Sequence, residues 1–126
     1  MAVPLTLLLL EDSLPDAELI VRELRRAGYD PRATRVTNEE EFDAGLAAGD
    51  PQVILADSSL PLFSMWRALD LLRERGLNIP VIVVTGAGGY EKAEECIKLG
   101  AADYILKDDL SRLRKAIAQA ITKKPL

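Results

Sequence analysis

The chain has 126 residues, of which 48% are hydrophobic and 29% charged, with a formal net charge of −4. This length predicts a single domain over residues 1–126, and the mild acidity argues against a nucleic-acid partner, because nucleic-acid binders carry basic patches. Histidine is absent, which excludes histidine catalysis and histidine metal ligands, and the lone cysteine cannot form an internal disulfide, so we expect a reducing, cytoplasmic location.

The chain opens on an apolar stretch that ends in two acids. This stretch lacks a positively charged start and a small-residue cleavage site, so it does not predict a secretory signal. No apolar run is long enough to span a bilayer, and we expect no membrane association. Leu5–Leu10 is predicted to be the first buried strand, followed directly by Glu11 and Asp12. The two acids are either functional ligands or charges that favour the dipole of the next helix.

The next two elements are a helix and an edge strand. Ser13 is predicted to begin the first helix, because Asp16 three residues later completes a capping pattern. Pro31–Thr37 is polar and begins with proline, which predicts an edge strand. Thr37 or Asn38 is predicted to cap a second helix, whose acidic first turn is a solvated helix start.

The third strand carries the most informative residue. Val53–Pro61 reads VILADSSLP, an apolar run that leads into Asp57 before the chain turns away. Such a run is typical of a strand buried on both faces of a parallel sheet. Asp57 then lies at the carboxyl end, where open α/β sheets place their ligand crevice. Taken alone, the stretch is equally compatible with an aspartate that only begins a turn.

The following segment predicts a helix, a strand and a second helix. Ser64 is predicted to cap the third helix, with Trp66 off its apolar stripe and partly exposed. The residues predicted to be inward in that helix are Met65, Ala68, Leu69 and Leu72. Ile79–Val84 predicts the fourth strand, which ends at Thr85. The residues predicted to be inward in the fourth helix are Ala93, Cys96, Ile97 and Gly100.

The last strand and helix complete the pattern. Ala102–Leu106 predicts a fifth strand closed by Lys107, and Asp108 or Asp109 is predicted to cap the last helix. The buried stripe predicted for that helix consists of Leu110, Leu113, Ile117, Ala120 and Ile121. Strands and helices thus alternate five times, which predicts a doubly wound parallel α/β sheet with right-handed crossovers.

The strand ends in this arrangement meet at one edge. Three acids gathered there repel one another, by about 3 kcal/mol for two charges ~5 Å apart at an effective dielectric near 20. A divalent cation with oxygen ligands relieves this repulsion, and Mg²⁺ suits few carboxylates together with water and phosphate oxygens. Thr85 offers a hydroxyl and Lys107 an ammonium to a phosphoryl oxygen. The assembled site is therefore suited to hold a phosphorylated Asp57.

These residues resemble those of a known family. The acid pair Glu11-Asp12, Asp57 in DSSLP, Thr85 after an apolar strand and GAADYILK at 100–107 resemble the receiver domain of two-component response regulators. The resemblance covers essentially the whole chain. It implies a flavodoxin-like fold of five parallel strands in the order 2-1-3-4-5 with five helices. In a doubly wound sheet of this order the ligand crevice lies between strands one and three.

The resemblance also implies a function. A histidine kinase or phosphotransfer protein would donate a phosphoryl group to Asp57 in a Mg²⁺-dependent reaction, and the domain would then change conformation. The domain would not be an enzyme, although it would catalyse its own phosphorylation and dephosphorylation. The magnesium ligands that it implies are Glu11, Asp12, Asp57 and the backbone carbonyl of Ser59. Thr85 and Lys107 would bind the phosphoryl group, and Tyr104 would move with Thr85.

The chain departs from the family pattern at two loops. Asp108 follows Lys107 where the family usually has proline, and Leu62-Phe63-Ser64 replaces a loop that usually contains glycine. We predict a trans Lys107–Asp108 peptide, because a non-proline cis bond costs about 2.5–4 kcal/mol. The Leu62-Phe63-Ser64 loop and the KDDLSRL ending resemble receiver modules joined to sensor histidine kinases. A stand-alone regulator and an excised module therefore both remain open.

Three alternatives remain from the residues. Phosphatases of the haloacid dehalogenase type also use a strand-end aspartate, but they need a second aspartate where this chain has Ser59. A flavin-binding flavodoxin-like protein would need a hydroxyl- and glycine-rich phosphate loop where this chain has Glu11 and Asp12. The third alternative is a receiver-like interaction module that is never phosphorylated.

Overall fold

The computed structural model describes residues 2–49, 51–58, 60, 63–86 and 90–122. The strands are β1 (Val3–Leu10), β2 (Tyr29–Val36), β3 (Val53–Asp57), β4 (Val81–Thr85) and β5 (Asp103–Leu106). The helices are α1 (Leu14–Arg26), α2 (Glu39–Ala48), α3 (Met65–Glu74), α4 (Tyr90–Lys98) and α5 (Leu113–Thr122), with a 3₁₀ segment over Lys107–Arg112. Within the described ranges, no helix combines the length and the apolar character needed to cross a bilayer.

The sheet has the predicted topology. Its five strands pair in parallel in the order β2-β1-β3-β4-β5. This order confirms the doubly wound fold, with β2 at one edge as its polar sequence predicted. The alternation of short apolar strands with amphipathic helices is therefore sufficient to specify this layered architecture.

Each face of the sheet carries its own core. Leu7 and Leu9 of β1 pack with α1 and α5, whereas Leu8 and Leu10 pack with α2, α3 and α4. Because side chains alternate along a strand, a residue's place in that alternation decides which helices it meets. We call these two sides the α1–α5 face and the α2–α4 face.

Polar side chains begin three of the helices. The side chains of Ser13, Asn38 and Ser64 each accept a hydrogen bond from the backbone N–H three residues later, at 3.3, 2.8 and 3.2 Å. Ser13 and Ser64 are confirmed as caps, and Asn38 is the cap of the two candidates for α2. Each cap satisfies one backbone donor that the first helical turn leaves unpaired.

Several strands differ from their predicted bounds by one or two residues. β1 begins at Val3 because it pairs with β2 from Val3 opposite Tyr29 onwards. β2 accordingly begins two residues earlier than predicted, and it tolerates Pro31 because an edge strand has one unpaired side. β4 begins at Val81, where its pairing with Ile54 begins, so Ile79 and Pro80 lie outside it. β5 begins one residue later than predicted.

The inward set predicted for α4 was partly wrong. Cys96 is fully buried as predicted, but Ile97 is 38% exposed. Neighbouring residues on a helix lie about 100° apart, so packing Cys96 inward turns Ile97 outward. Gly100 is exposed beyond the end of the helix, where its φ of 121° ends the helical path. The side chain of Ala93 lies outside the described residues.

The start of the last helix is more irregular than predicted. A 3₁₀ segment over Lys107–Arg112, kinked at Asp109, precedes α5, so the α-helical part begins only at Leu113. The φ and ψ of Asp109 are −136° and 52°, outside the helical region. Leu110 and Leu113 both pack on the α1–α5 face, and their three-residue spacing suits a 3₁₀ turn.

Two further predictions for this end of the chain are confirmed. Leu113 and Ile117 are buried, and the other stripe residues pack around them. The Lys107–Asp108 bond is trans, since the described part of the chain contains no cis peptide.

Candidate functional site

Three charged side chains converge at the carboxyl edge of the sheet. Glu11 follows β1, Asp57 ends β3 and Lys107 follows β5. Each lies two residues after a strand leucine or isoleucine that packs on the α1–α5 face. Continuing the alternation directs all three side chains to that face, where they meet as predicted.

Lys107 is the centre of the charge cluster. Its Nζ lies 2.7 Å from Asp16 Oδ2, 2.8 Å from Glu11 Oε1 and 3.1 Å from Asp57 Oδ2. The contacts with Asp16 and Asp57 are hydrogen bonds that the ammonium donates. Burial alone would lower the pKa of Lys107, but the three carboxylates outweigh it and raise that pKa above its ordinary value. The lysine is therefore a permanent cation at this edge.

Two of the residues around this cluster are not predicted by the sequence pattern. The pattern assigns Asp16 only a capping role through its backbone, yet its side chain holds Lys107. Arg35 Nη1 donates a hydrogen bond to the backbone carbonyl of Glu11 at 3.0 Å and so links β2 to the loop after β1. For Asp16 a signal exists, since it lies in the first turn of the helix that directly follows the acid pair.

Glu11 is a buried acid whose pKa is strongly raised. It is 1% exposed, and this burial is the main reason that its pKa rises to about 7, with the neighbouring Asp57 adding to the rise. Lys107 and a hydrogen bond of 3.1 Å from the Ser13 N–H act in the opposite direction. Oε1 forms the ion pair with Lys107 but lacks the geometry of a hydrogen bond. This buried oxygen is thus paired with Lys107 through charge rather than through an aligned hydrogen bond.

The acids of the site fit a divalent cation. One carboxylate oxygen from each of Glu11, Asp12 and Asp57 lies within 4.8 Å of the others. Glu11 and Asp57 are buried and Asp12 is exposed, so the group opens to solvent on one side. Hard cations such as Mg²⁺ prefer oxygen ligands of this kind. The fourth predicted ligand, the Ser59 carbonyl, lies outside the described residues.

Thr85 and Tyr104 lie on the other face of the sheet. Thr85 follows Val83 by two residues, and Val83 packs on the α2–α4 face, as does Tyr104. The Thr85 side chain is fully buried, and its Oγ1 lies 2.7 Å from Ser58 Oγ. Of the predicted site residues, Glu11, Asp12, Asp57 and Lys107 are therefore brought together, while Thr85 ends β4 on the other face and Tyr104 lies within β5 opposite Val83.

Comparison with known proteins agrees with this geometry. The family profile of the response regulator receiver domain matches residues 7–118. The chain is 33% identical over 115 residues to the response regulator protein PilR of Pseudomonas aeruginosa, covering 90% of this chain and 25% of PilR. It is 29% identical over 124 residues to the phosphate regulon transcriptional regulatory protein PhoB of the same organism, covering 94% of this chain and 52% of PhoB.

A solved structure gives the same likeness. The REC domain of AraT, a response regulator from Geobacillus stearothermophilus, superposes with a TM-score of 0.76 at 26% identity, covering 97% of this chain and 95% of that one. The chain thus matches an isolated receiver domain almost end to end, whereas it spans about a quarter of PilR and about half of PhoB.

Proposed function

Because the chain belongs to the response regulator receiver family, we propose that it is the phosphoacceptor domain of a two-component system and that Asp57 takes the phosphoryl group. The single observation that carries this assignment is the position of Asp57. Asp57 ends the central strand β3, accepts a hydrogen bond from the Lys107 ammonium at 3.1 Å, and shares the acid group with Glu11 and Asp12.

The transfer uses groups already in place. An Asp57 carboxylate oxygen forms the new bond to phosphorus while the bond from phosphorus to the donor's histidine nitrogen breaks, and the imidazole leaves with the electron pair. Lys107, 3.1 Å from Asp57, stabilises the negative charge on the transferred group because its charge is fixed before the reaction begins. Hydrolysis of the acyl phosphate by water returns Asp57 to its carboxylate.

The acid pair serves this chemistry by holding a metal. Glu11, Asp12, Asp57 and the Ser59 carbonyl would hold Mg²⁺, which when bound neutralises charge on the phosphoryl oxygens. Glu11 must lose its proton before it can act as a ligand, since a protonated carboxyl is a poor ligand for a hard cation. Asp16, 2.7 Å from Lys107, would keep that ammonium paired if Glu11 and Asp57 bound the metal.

The switch follows from the same residues. Thr85 turns its hydroxyl toward the phosphoryl group on Asp57, and Tyr104 moves into the space that Thr85 vacates. A single modification shifts such an equilibrium only where the two states are close in free energy. The partner that supplies the phosphoryl group is a histidine kinase or a phosphotransfer protein, and we place the domain in the cytoplasm.

Intact-mass measurement after incubation with Mg²⁺ and a small phosphodonor tests the assignment. The wild type should gain the mass of one phosphoryl group, and Asp57→Asn should gain none while keeping its fold. Asp30→Asn is the matched control, because Asp30 is an exposed acid in β2 away from the site, and it should be phosphorylated normally. Phosphate on another residue, or equal labelling without Mg²⁺, would refute the proposal, and no labelling at all would favour the unphosphorylated interaction module.

A further inference from the structure

The neighbour of Asp57 has a polar side chain on the opposite face of the sheet. We infer that Ser58 is a positioning residue for Thr85: its hydroxyl holds Thr85 Oγ1 on the α2–α4 face until Asp57 is phosphorylated. This inference rests on the proposed function, and it deepens it by naming what sets the balance between the resting and switched states. Nothing in the chemistry of phosphoryl transfer itself requires a hydroxyl at this position.

The strand register brings the two hydroxyls together. β3 and β4 run parallel with Asp57 opposite Val84, so the next pair along the strands is Ser58 and Thr85. Ser58 follows Ala56 by two residues, and Ala56 packs on the α2–α4 face as Val83 does. Alternation therefore places both hydroxyls on the same side of the sheet, and their oxygens are 2.7 Å apart.

Burial makes this contact matter. The exposed fractions of Thr85 and Ser58 are 0% and 9%, so water cannot easily replace a lost partner. A hydrogen bond between buried groups must be exchanged for another if its partners separate, because an unsatisfied buried hydroxyl is costly. The two hydroxyls can thus separate at little cost only when other hydrogen-bond partners, such as a phosphoryl oxygen for Thr85, are available.

The count of protons gives the direction of the effect. Thr85 has one hydroxyl proton, and its two neighbours are Ser58 Oγ at 2.7 Å and the Gly86 carbonyl at 3.3 Å. A carbonyl oxygen only accepts, so either Thr85 donates to Gly86 while Ser58 donates to Thr85, or Thr85 donates to Ser58. In both arrangements the hydrogen bond between Ser58 and Thr85 must break before Thr85 can turn its hydroxyl to a phosphoryl oxygen. Ser58 therefore stabilises the resting state.

Removing the Ser58 hydroxyl should favour the switched state. Beryllofluoride with Mg²⁺ is the probe, since it is a tetrahedral mimic of the phosphoryl group, and its affinity is measured by NMR titration of the Thr85 amide. Ser58→Ala should bind it about 2–10-fold more tightly, the range that one net hydrogen bond supplies. Ser58→Thr keeps the hydroxyl and should remain close to wild type. In a Thr85→Val background, which lacks the partner hydroxyl, Ser58→Ala should change the affinity little.

A second measurement needs no phosphoryl mimic. Three-bond couplings to the Thr85 methyl group report its side-chain rotamer in the unliganded protein. We expect one rotamer in wild type and Ser58→Thr and an average over rotamers in Ser58→Ala. This readout separates the two proposals, because a wild type that binds no beryllofluoride would refute phosphoacceptor function while a rotamer released by Ser58→Ala would still support the hold on Thr85.

The inference fails on either of two results. Equal or weaker beryllofluoride binding by folded Ser58→Ala, with wild-type binding intact, would show that Ser58 does not stabilise the resting state. An unchanged Thr85 rotamer in that variant would show that other contacts fix the side chain.

Discussion

From the raised pKa of Glu11 we predict how the stability of the metal-free domain depends on pH. Its pKa is raised from 4.5 to about 7 by burial. The folded state therefore holds a proton that the unfolded state has already released, throughout the interval between these two values. The stability that this proton provides is fully present below the lower pKa and is lost as the pH rises through the higher one.

The size of the loss follows from the two pKa values. Each pKa unit is worth about 1.4 kcal/mol. The interval from about pH 5 up to the folded-state pKa of about 7 spans about two such units, and the loss is complete by about pH 8. We therefore expect Glu11 to remove about 2–3 kcal/mol of unfolding free energy over that range. Glu11 is almost completely buried, so solvent screens this effect little.

Urea unfolding of wild type and Glu11→Gln, both in the presence of a chelator, measures the effect. Because glutamine does not titrate, the difference in stability between the two proteins should change by about 2–3 kcal/mol between about pH 5 and about pH 8, in favour of the variant at high pH. Saturating Mg²⁺ should restore wild-type stability at the higher pH but should stabilise the variant less. A difference that stays constant with pH would show that Glu11 is not protonated in the folded state near neutrality.

Three further predictions concern the site and the cores. Asp16→Asn should lower the pKa of Lys107, because it removes the negative charge closest to Nζ, and ¹⁵N NMR of the ammonium measures this; an unchanged pKa would contradict the ion pair. Gly45→Ala should lower the unfolding midpoint in urea, because the new Cβ would lie 2.7 Å from Leu8 Cδ2. Overpacking costs about 1–3 kcal/mol, which exceeds the ~1 kcal/mol by which alanine stabilises a helix relative to glycine. A raised midpoint would show that the Leu8 side chain moves aside at little cost. Cys96 is buried and its pKa is raised to about 11, so iodoacetamide should label it in the unfolded protein but hardly in the native one.

The residues at strand ends were predictable from the sequence because the sheet itself orders them. Lys107 and Asp57 are 50 positions apart, yet each closes a parallel strand, and parallel strands end at the same edge. To predict that these two residues meet, one needs only the number of strands and their common direction. Glu11 and Asp12 were predictable at this edge for the same reason, because they directly follow β1.

Contacts that depend on the tilt of a helix were not predictable in this way. Asp16 and Lys107 are 91 positions apart, and they meet because α1 packs beside the 3₁₀ segment that begins at Lys107. Sequence periodicity gives the buried face of a helix but not its angle to the sheet. The exposure of Ile97 and the late start of α5 were not predicted for the same reason. Both depend on how a helix is rotated, or where it begins, against its neighbours.

The division of the site between two faces has a consequence for its mechanism. Charged groups occupy the α1–α5 face, where Lys107 binds Glu11, Asp16 and Asp57. A pair of uncharged hydroxyls, Ser58 and Thr85, occupies the other face. Since Asp57 and Ser58 are adjacent in the chain but point to opposite sides, we expect a change of charge at Asp57 to reach the α2–α4 face around the ends of two strands rather than through the core.

This separation predicts two kinds of variant. Substitutions among the charged groups alter the affinity for metal and the rate of phosphoryl transfer, because those groups act on the reacting atoms through their charge. Substitutions of Ser58 leave that charge distribution unchanged, so they should alter how far the domain switches for a given degree of phosphorylation. The parallel sheet keeps the two roles apart because alternation assigns each to its own face.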